Sequence, residues 1–359
     1  MMPLSTLALQ GAALRALYAL PRPIRRLIAG RPIRLDGQEL ALDAQLFLRA
    51  REMSKLPPLS SGTPAKARHD LIAGAKIAAG ESIQPVAARD LTIDGSIPAR
   101  LYTPDELPEG SPLLVFFHGG GFVIGSIETH DNTCRFLAKH ARVRVLSVDY
   151  RLAPEHPFPN GVEDAIAAFK YAYAHAADLG ADPRAIAVGG DSAGGNLAAV
   201  VSQVTTREGG PKPAFQLLLY PSADATKQTR SKELFAQGFF LTKDDMDWFM
   251  GHYATVEQDK QDPRYSPALA PDLSGFPPAY IATAGFDPLR DEGETYAERL
   301  REAGVPVVLS RHADLIHGYA NLLTIGTRFR EAMFEAAGVL RTGLEIGPKE
   351  SLTGESAGE

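Results

Sequence analysis

From Leu113 onward, short runs of mostly apolar residues alternate with longer stretches whose apolar positions recur at helical spacing. The apolar runs predict strands at Leu113–Phe117, Val143–Val148, Ala185–Gly189, Phe215–Leu219, Ala279–Ala282 and Val305–Leu309. The amphipathic stretches between them predict helices near Thr129–His140, Gly161–Ala177, Ala193–Thr206, Glu292–Ala303 and Arg328–Leu340. Predominantly apolar strands alternating with helices belong to a largely parallel sheet covered on both faces, so the expected fold class is α/β.

Two regions depart from this rhythm. Residues 1–80 read as helices broken by loops, with apolar positions at helical spacing over Leu40–Met53 and again over Pro64–Ala79. Pro57-Pro58 and Ser60-Ser61-Gly62 separate the two. The interval Ser222–Pro271 interrupts the alternation and is dense in aromatics: Phe235, Phe239, Phe240, Trp248, Phe249 and Tyr253. It is expected to join residues 1–80 as a helical cap over the sheet of a catalytic domain spanning 81–345. Asp94-Gly95 between two extended runs predicts a hairpin. The Gly/Ser/Glu-rich residues 346–359 are expected to be a disordered tail.

Composition narrows the class. A formal charge of −6 argues against nucleic acid as the main partner. A single cysteine, Cys134, excludes an intrachain disulfide and fits the cytoplasm. No stretch is apolar for long enough to span a bilayer, so no transmembrane segment is expected. The apolar start of the chain has no basic residue before it, which a secretory signal would want. Arg15, Arg22, Arg25, Arg26 and Arg31 follow, so this segment either packs on the protein or makes weak contact with a membrane surface, and packing is the favoured expectation.

The chemistry centres on Gly190-Asp191-Ser192-Ala193-Gly194, placed between a predicted strand and a predicted helix. Gly-x-Ser-x-Gly in that context is a sharp elbow that exposes the serine hydroxyl. Upstream, His118-Gly119-Gly120-Gly121 follows a strand. A glycine run lets backbone N–H groups point into a pocket, as a developing oxyanion requires. No Gly-Lys-Ser/Thr follows it, so a phosphate loop of the Walker type is not indicated.

Ser192 needs a base, and the base needs an orienting carboxylate, in the chain order Ser, acid, His. His317, in a loop after the last predicted strand, is the preferred base, with His312 as rival. Asp287, just after the strand Ala279–Ala282, is the preferred acid. Its alternative reading is a helix cap before Pro288, and Asp291 and Glu292 are rival acids. Asp191 is expected to hold the elbow loop. Phe122, Tyr220, Phe240, Ile316 and Tyr319 are the candidate pocket lining. No His/Cys spacing suits zinc, and neither a metal nor an organic cofactor is expected.

Together these motifs resemble the bacterial esterase branch of the hormone-sensitive-lipase family of α/β-hydrolases. The resemblance rests also on Asp149-Tyr150-Arg151-Leu152-Ala153-Pro154-Glu155, Tyr220-Pro221, Asp287-Pro288-Leu289-Arg290 and His317-Gly318, and runs from about Val86 to Leu340. It implies an α/β-hydrolase fold with a helical cap, and hydrolysis of short-to-medium acyl esters. Ser192 would be nucleophile, His317 base and Asp287 acid, with an oxyanion hole from the N–H groups of Gly119, Gly120 and Ala193. A small-molecule ester would be the partner, met by a monomer or homodimer. Amidase, lactonase or carbamate hydrolase activity remains an alternative for the same triad, as does a non-catalytic receptor on the same fold.

Overall fold

A computed structural model describes the backbone from Leu4 to Glu350 and the side chains from Leu7 to Glu345. The chain starts with helices α1 (Leu4–Ala19) and α2 (Arg22–Ala29), a two-stranded ribbon of β1 (Arg34–Leu35) and β2 (Gln38–Glu39), and helices α3 (Leu42–Met53) and α4 (Pro64–Ala79). Thr63 caps α4 by accepting the Lys66 N–H, and Pro64 occupies its first turn. The expected hairpin follows as β3 (Val86–Ile93) and β4 (Ile97–Pro104), antiparallel, with Ile93 opposite Ile97. Asp94 and Gly95 turn it at φ of 46° and 73°.

The alternating part comprises β5 (Ser111–Phe117), α5 (Asp131–Ala141), β6 (Arg144–Val148), α6 (Asn160–Ala174), β7 (Ala181–Asp191), α7 (Ala193–Glu208) and β8 (Gln216–Leu219). Helices α8 (Arg230–Leu234) and α9 (Lys243–Tyr253) come next, then β9 (Ala279–Phe286), α10 (Arg290–Glu302), β10 (Val307–Ile316) and α11 (Arg328–Glu350). One eight-stranded sheet runs in the order β10-β9-β8-β7-β5-β6-β4-β3. It is parallel from β10 to β6 and antiparallel where β4 meets β6 and β3.

Every residue of β6, β8 and β9 is buried, as strands covered on both faces require. Residues such as Val115, Val188, Leu218 and Ile281 pack against one layer of helices, and Leu114, Ala187, Leu217 and Tyr280 against the other. Strand β10 is the exception. It continues seven residues past the expected end at Leu309, through Ser310-Arg311-His312-Ala313-Asp314. An edge strand half-covered by other elements tolerates polar residues, so its hydropathy hid it. Helix α11 enters the segment read as a tail; residues 351–359 lie outside those described. No helix among the described residues is long and apolar enough to cross a membrane.

Candidate active site

The carboxyl ends of β5, β7, β9 and β10 converge, which is where open parallel sheets build their sites. β7 stops at Asp191 and α7 starts at Ala193, leaving Ser192 alone in the turn at φ 56°, ψ −118°. For a residue with a side chain that conformation is strained by roughly 1–3 kcal/mol. The surroundings enforce it. The Ser192 N–H donates to Leu219 O at 2.9 Å, and its carbonyl accepts Asn196 N–H at 3.0 Å. The flanking glycines are sterically required. A Cβ on Gly194 would lie 1.9 Å from Phe117 O, and one on Gly190 would lie 2.4 Å from the Gly194 carbonyl carbon.

His317 follows β10 directly, and Gly318 turns the chain at φ 78°. Its Nε2 lies 3.0 Å from Ser192 Oγ and its Nδ1 2.7 Å from Asp287 Oδ2. Asp287 follows β9 and is wholly buried. Its other oxygen, Oδ1, accepts the Leu289 N–H at 2.8 Å. Asp287 is thus tied to the backbone and to the imidazole at once. The helix after it starts only at Arg290.

The rivals are occupied elsewhere. Asp291 Oδ2 accepts the Ser231 N–H at 2.8 Å. Glu292 accepts the Ala223 N–H at 2.8 Å and sits 2.6 Å from Lys232 Nζ. Burial raises the Glu292 carboxyl above its usual range, against the opposing pull of Lys232. His312 lies beside Arg328, its Nδ1 3.4 Å from the guanidinium, with its ring against Tyr319.

The glycine loop differs from expectation in one position. The Gly119 N–H donates to Asp191 Oδ1 at 2.8 Å, so it is not available to an incoming oxyanion. The N–H groups of Gly120, Gly121 and Ala193 have no acceptor among the described residues. Gly121 lines the cavity above Ser192, and a Cβ there would strike the Phe249 ring at 2.2 Å. Gly121 therefore replaces Gly119 in the candidate donor set.

Asp191 anchors this loop. Besides Gly119 it meets His130 Nε2 at 3.1 Å, and Tyr220 Oη and Asn321 Nδ2 each lie 3.4 Å away. Burial alone would raise its carboxyl, but His130, the Gly119 N–H and His317 outweigh that and hold it below the usual range. His130 and Asn321 carry no motif; only the fold brings them here.

His118 stacks on Tyr150 with ring centroids 4.4 Å apart and donates from Nδ1 to Gly119 O at 2.9 Å. Burial, reinforced by nearby His130, pushes its pKa down to about 3. A histidine kept neutral by the fold binds fewer protons than in the unfolded chain. Its contribution is present above the unfolded value near 6.5 and is lost as pH falls towards 3. We expect unfolding free energy to drop on acidification below pH 6.5, with His118→Gln removing a share on the order of 1 kcal/mol per pH unit. Urea melts between pH 7 and 5 check this. Equal acid slopes in the two proteins would remove His118 as the cause.

A cavity of about 1640 Å³ opens above Ser192 and His317. Phe122 and Phe240 line it, with Leu241, Met246 and Phe249 from the region of α9. Leu7, Leu14 and Leu17 of α1 and Ile72 and Ile77 of α4 form another wall. Tyr220, Ile316 and Tyr319 do not line it and are wholly buried in the layer beneath the site. Tyr220 packs its ring 4.7 Å from His317 and takes the Ala320 N–H on its hydroxyl. Their apolar or aromatic character suits a pocket wall and a core equally; Tyr220 just past β8, Ile316 at the end of β10 and Tyr319 in the turn after Gly318 all pack into the core. Among the described residues, no three His, Cys, Asp or Glu side chains cluster as metal ligands.

A family model described as the alpha/beta hydrolase fold matches residues 114–321, more than half of the chain and all three site residues. The chain belongs to the α/β-hydrolase family, in its bacterial hormone-sensitive-lipase esterase branch. It is 49% identical over 318 residues to the carboxylic ester hydrolase LipN of Mycobacterium tuberculosis, covering 86% of this chain and 84% of the relative. It is 35% identical to an ethyl acetate hydrolase of Pseudomonas putida, covering 80% and 92% of the two chains. Among solved structures, it is similar to an ester hydrolase from the metagenome of Lake Arreo, in complex with a bipyridine phosphonate derivative. The TM-score is 0.82 at 41% identity, covering 86% of this chain and all of that one.

Proposed function

We propose that this esterase cleaves short-to-medium acyl esters through an acyl-enzyme on Ser192. The observation that carries the reading is the single imidazole of His317 held between Ser192 Oγ and the buried Asp287. Because Asp287 is an acceptor, Nδ1 carries the proton and Nε2 is left free to take one. Ser192 Oγ attacks the carbonyl carbon as its proton passes to Nε2. The N–H groups of Gly120, Gly121 and Ala193 hold the oxyanion, and losing one such donor costs about 3 kcal/mol of transition-state stabilisation. His317 returns the proton to the departing alcohol. Water then adds by the same route, releasing the acid and restoring Ser192.

We assign residues 1–80 and 222–271 to a cap, supported by the cavity walls that α1, α4 and α9 supply. The cytoplasm is the compartment that the lone buried thiol of Cys134 suits best. The cavity is roomier than a C4–C6 acyl group alone would fill, so the apolar walls should admit longer or bulkier groups beyond it. Rates on a p-nitrophenyl ester series from C2 to C16 test this. kcat/KM should rise by up to about fourfold per methylene over the first carbons, at ~0.8 kcal/mol each, and C8 should remain a substrate. An anilide and a lactone in the same panel should be hydrolysed far more slowly. A cut-off between C2 and C4, or faster anilide than ester cleavage, would overturn the assignment.

A further inference from the structure

The first 80 residues carry a charge balance opposite to the rest of the chain. They hold twelve Lys and Arg against five Asp and Glu, whereas residues 81–359 hold 25 against 38. Exposed apolar surface concentrates in the same segment. Of the ten large apolar side chains exposed among the described residues, six lie here: Leu9, Ile24, Leu27, Ile33, Met53 and Leu56.

Helix α2 makes the pattern purposeful. A surface helix in water turns its charged face outward and its apolar face inward. Here two of its three arginines turn inward while Ile24 and Leu27 turn outward. Arg25 reaches inward to Asp43 of α3 at 2.8 Å, and Arg26 to Gln45 at 2.9 Å. Gln45 in turn donates to the carbonyls of Ala29 and Arg31 at 2.8 and 2.7 Å. These bonds fix the rotation of α2 from beneath and leave Leu27 82% and Ile24 44% exposed. Arg22 at the start of α2 and Arg31 just past its end are exposed and flank that apolar face along the chain. The cavity reaches the surface nearby, because Met53 and Leu56 are exposed and also part of its wall, together with Ile28 of α2.

An apolar face rimmed by cations complements a layer that is anionic at its surface and apolar below. We infer that α2, with the neighbouring parts of α1 and α3, docks on an anionic lipid bilayer, seating Ile24 and Leu27 at the headgroup–acyl boundary. The mouth of the cavity then faces the membrane, and the acidic body faces away from it. A second copy of the chain is the poorer occupant, since it would bring two strongly basic faces together.

Co-sedimentation of the full-length protein with extruded vesicles tests the docking without reference to hydrolysis. The probes are phosphatidylcholine alone and phosphatidylcholine with about 30% phosphatidylglycerol. The bound fraction should be at least about fivefold higher on the anionic vesicles, and should fall as salt rises from about 20 to 500 mM. The double variant Ile24→Glu/Leu27→Glu should bind at least about tenfold more weakly, yet hydrolyse a soluble short ester at the unaltered rate. Leu27→Ser alone should show an intermediate loss, and decides the matter if the double variant does not fold. Absence of binding to anionic vesicles at low salt, equal binding to both lipids, or binding unchanged in the variants would overturn the inference. So would a dimer in sedimentation equilibrium that Leu27→Ser dissolves, because it would assign this face to a second copy.

Discussion

Ser192→Ala should lower kcat for ester hydrolysis by about 10⁵–10⁶ while leaving the protein folded. The hydroxyl makes one recorded contact, to His317 Nε2 at 3.0 Å, and the backbone bonds that hold the elbow do not involve it. Alanine keeps the Cβ and the same strained φ of 56°, so the strain of roughly 1–3 kcal/mol is common to both proteins. The melting temperature should therefore change by no more than about 2 °C, within the usual range for a substitution that removes no buried bond network. Rates on a p-nitrophenyl ester, read beside a thermal melt, separate the two effects. A variant retaining more than a few per cent of activity would exclude Ser192 as nucleophile.

Asp287→Asn should lower kcat by about 10⁴, for a reason visible in the hydrogen bonds. In the native site one carboxylate oxygen accepts the Leu289 N–H and the other accepts Nδ1–H of His317. An amide placed there must turn its oxygen to Leu289, which offers only a donor. Its NH₂ then faces Nδ1, which must become an acceptor, and the imidazole proton moves to Nε2. That nitrogen would point a hydrogen at Ser192 instead of a lone pair. Geometry survives and the tautomer is wrong. Asp291→Asn is the control: Asp291 contacts Ser231 and Arg290 but not the imidazole, so its rate should stay within about threefold. If Asp291→Asn is the more damaging change, the acid is misassigned.

Much of this site is legible in the amino-acid sequence. The elbow is legible because close approach of two backbones leaves room only for glycine, and strand, turn and helix all leave local marks at Gly190–Gly194. Asp287 and His317 are legible by order and by their positions after apolar strands, although only the fold disposes of Asp291, Glu292 and His312. The donor loop was legible as a loop but not in register. Nothing local says that the Gly119 N–H is consumed by Asp191, seventy-two residues away. Tyr220, Ile316 and Tyr319 were misplaced for a related reason. Which face of a strand end looks into the cavity depends on what packs beneath it, and that is set by α11 and its neighbours. The polar half of β10 carried no strand signal, because at a sheet edge one side is open to water. The orientation of α2 is equally hidden: nothing local says that Arg25 and Arg26 find Asp43 and Gln45 beneath them.

The most direct measurement is covalent capture of the nucleophile. Wild-type protein and the Asp287→Asn variant are treated with a fluorophosphonate, digested, and mapped by mass spectrometry. The mechanism predicts one adduct in the wild type, on Ser192, formed in step with loss of esterase activity, and labelling of the variant slowed by orders of magnitude. An adduct on any other residue, or full activity in protein whose Ser192 is stoichiometrically modified, would contradict it.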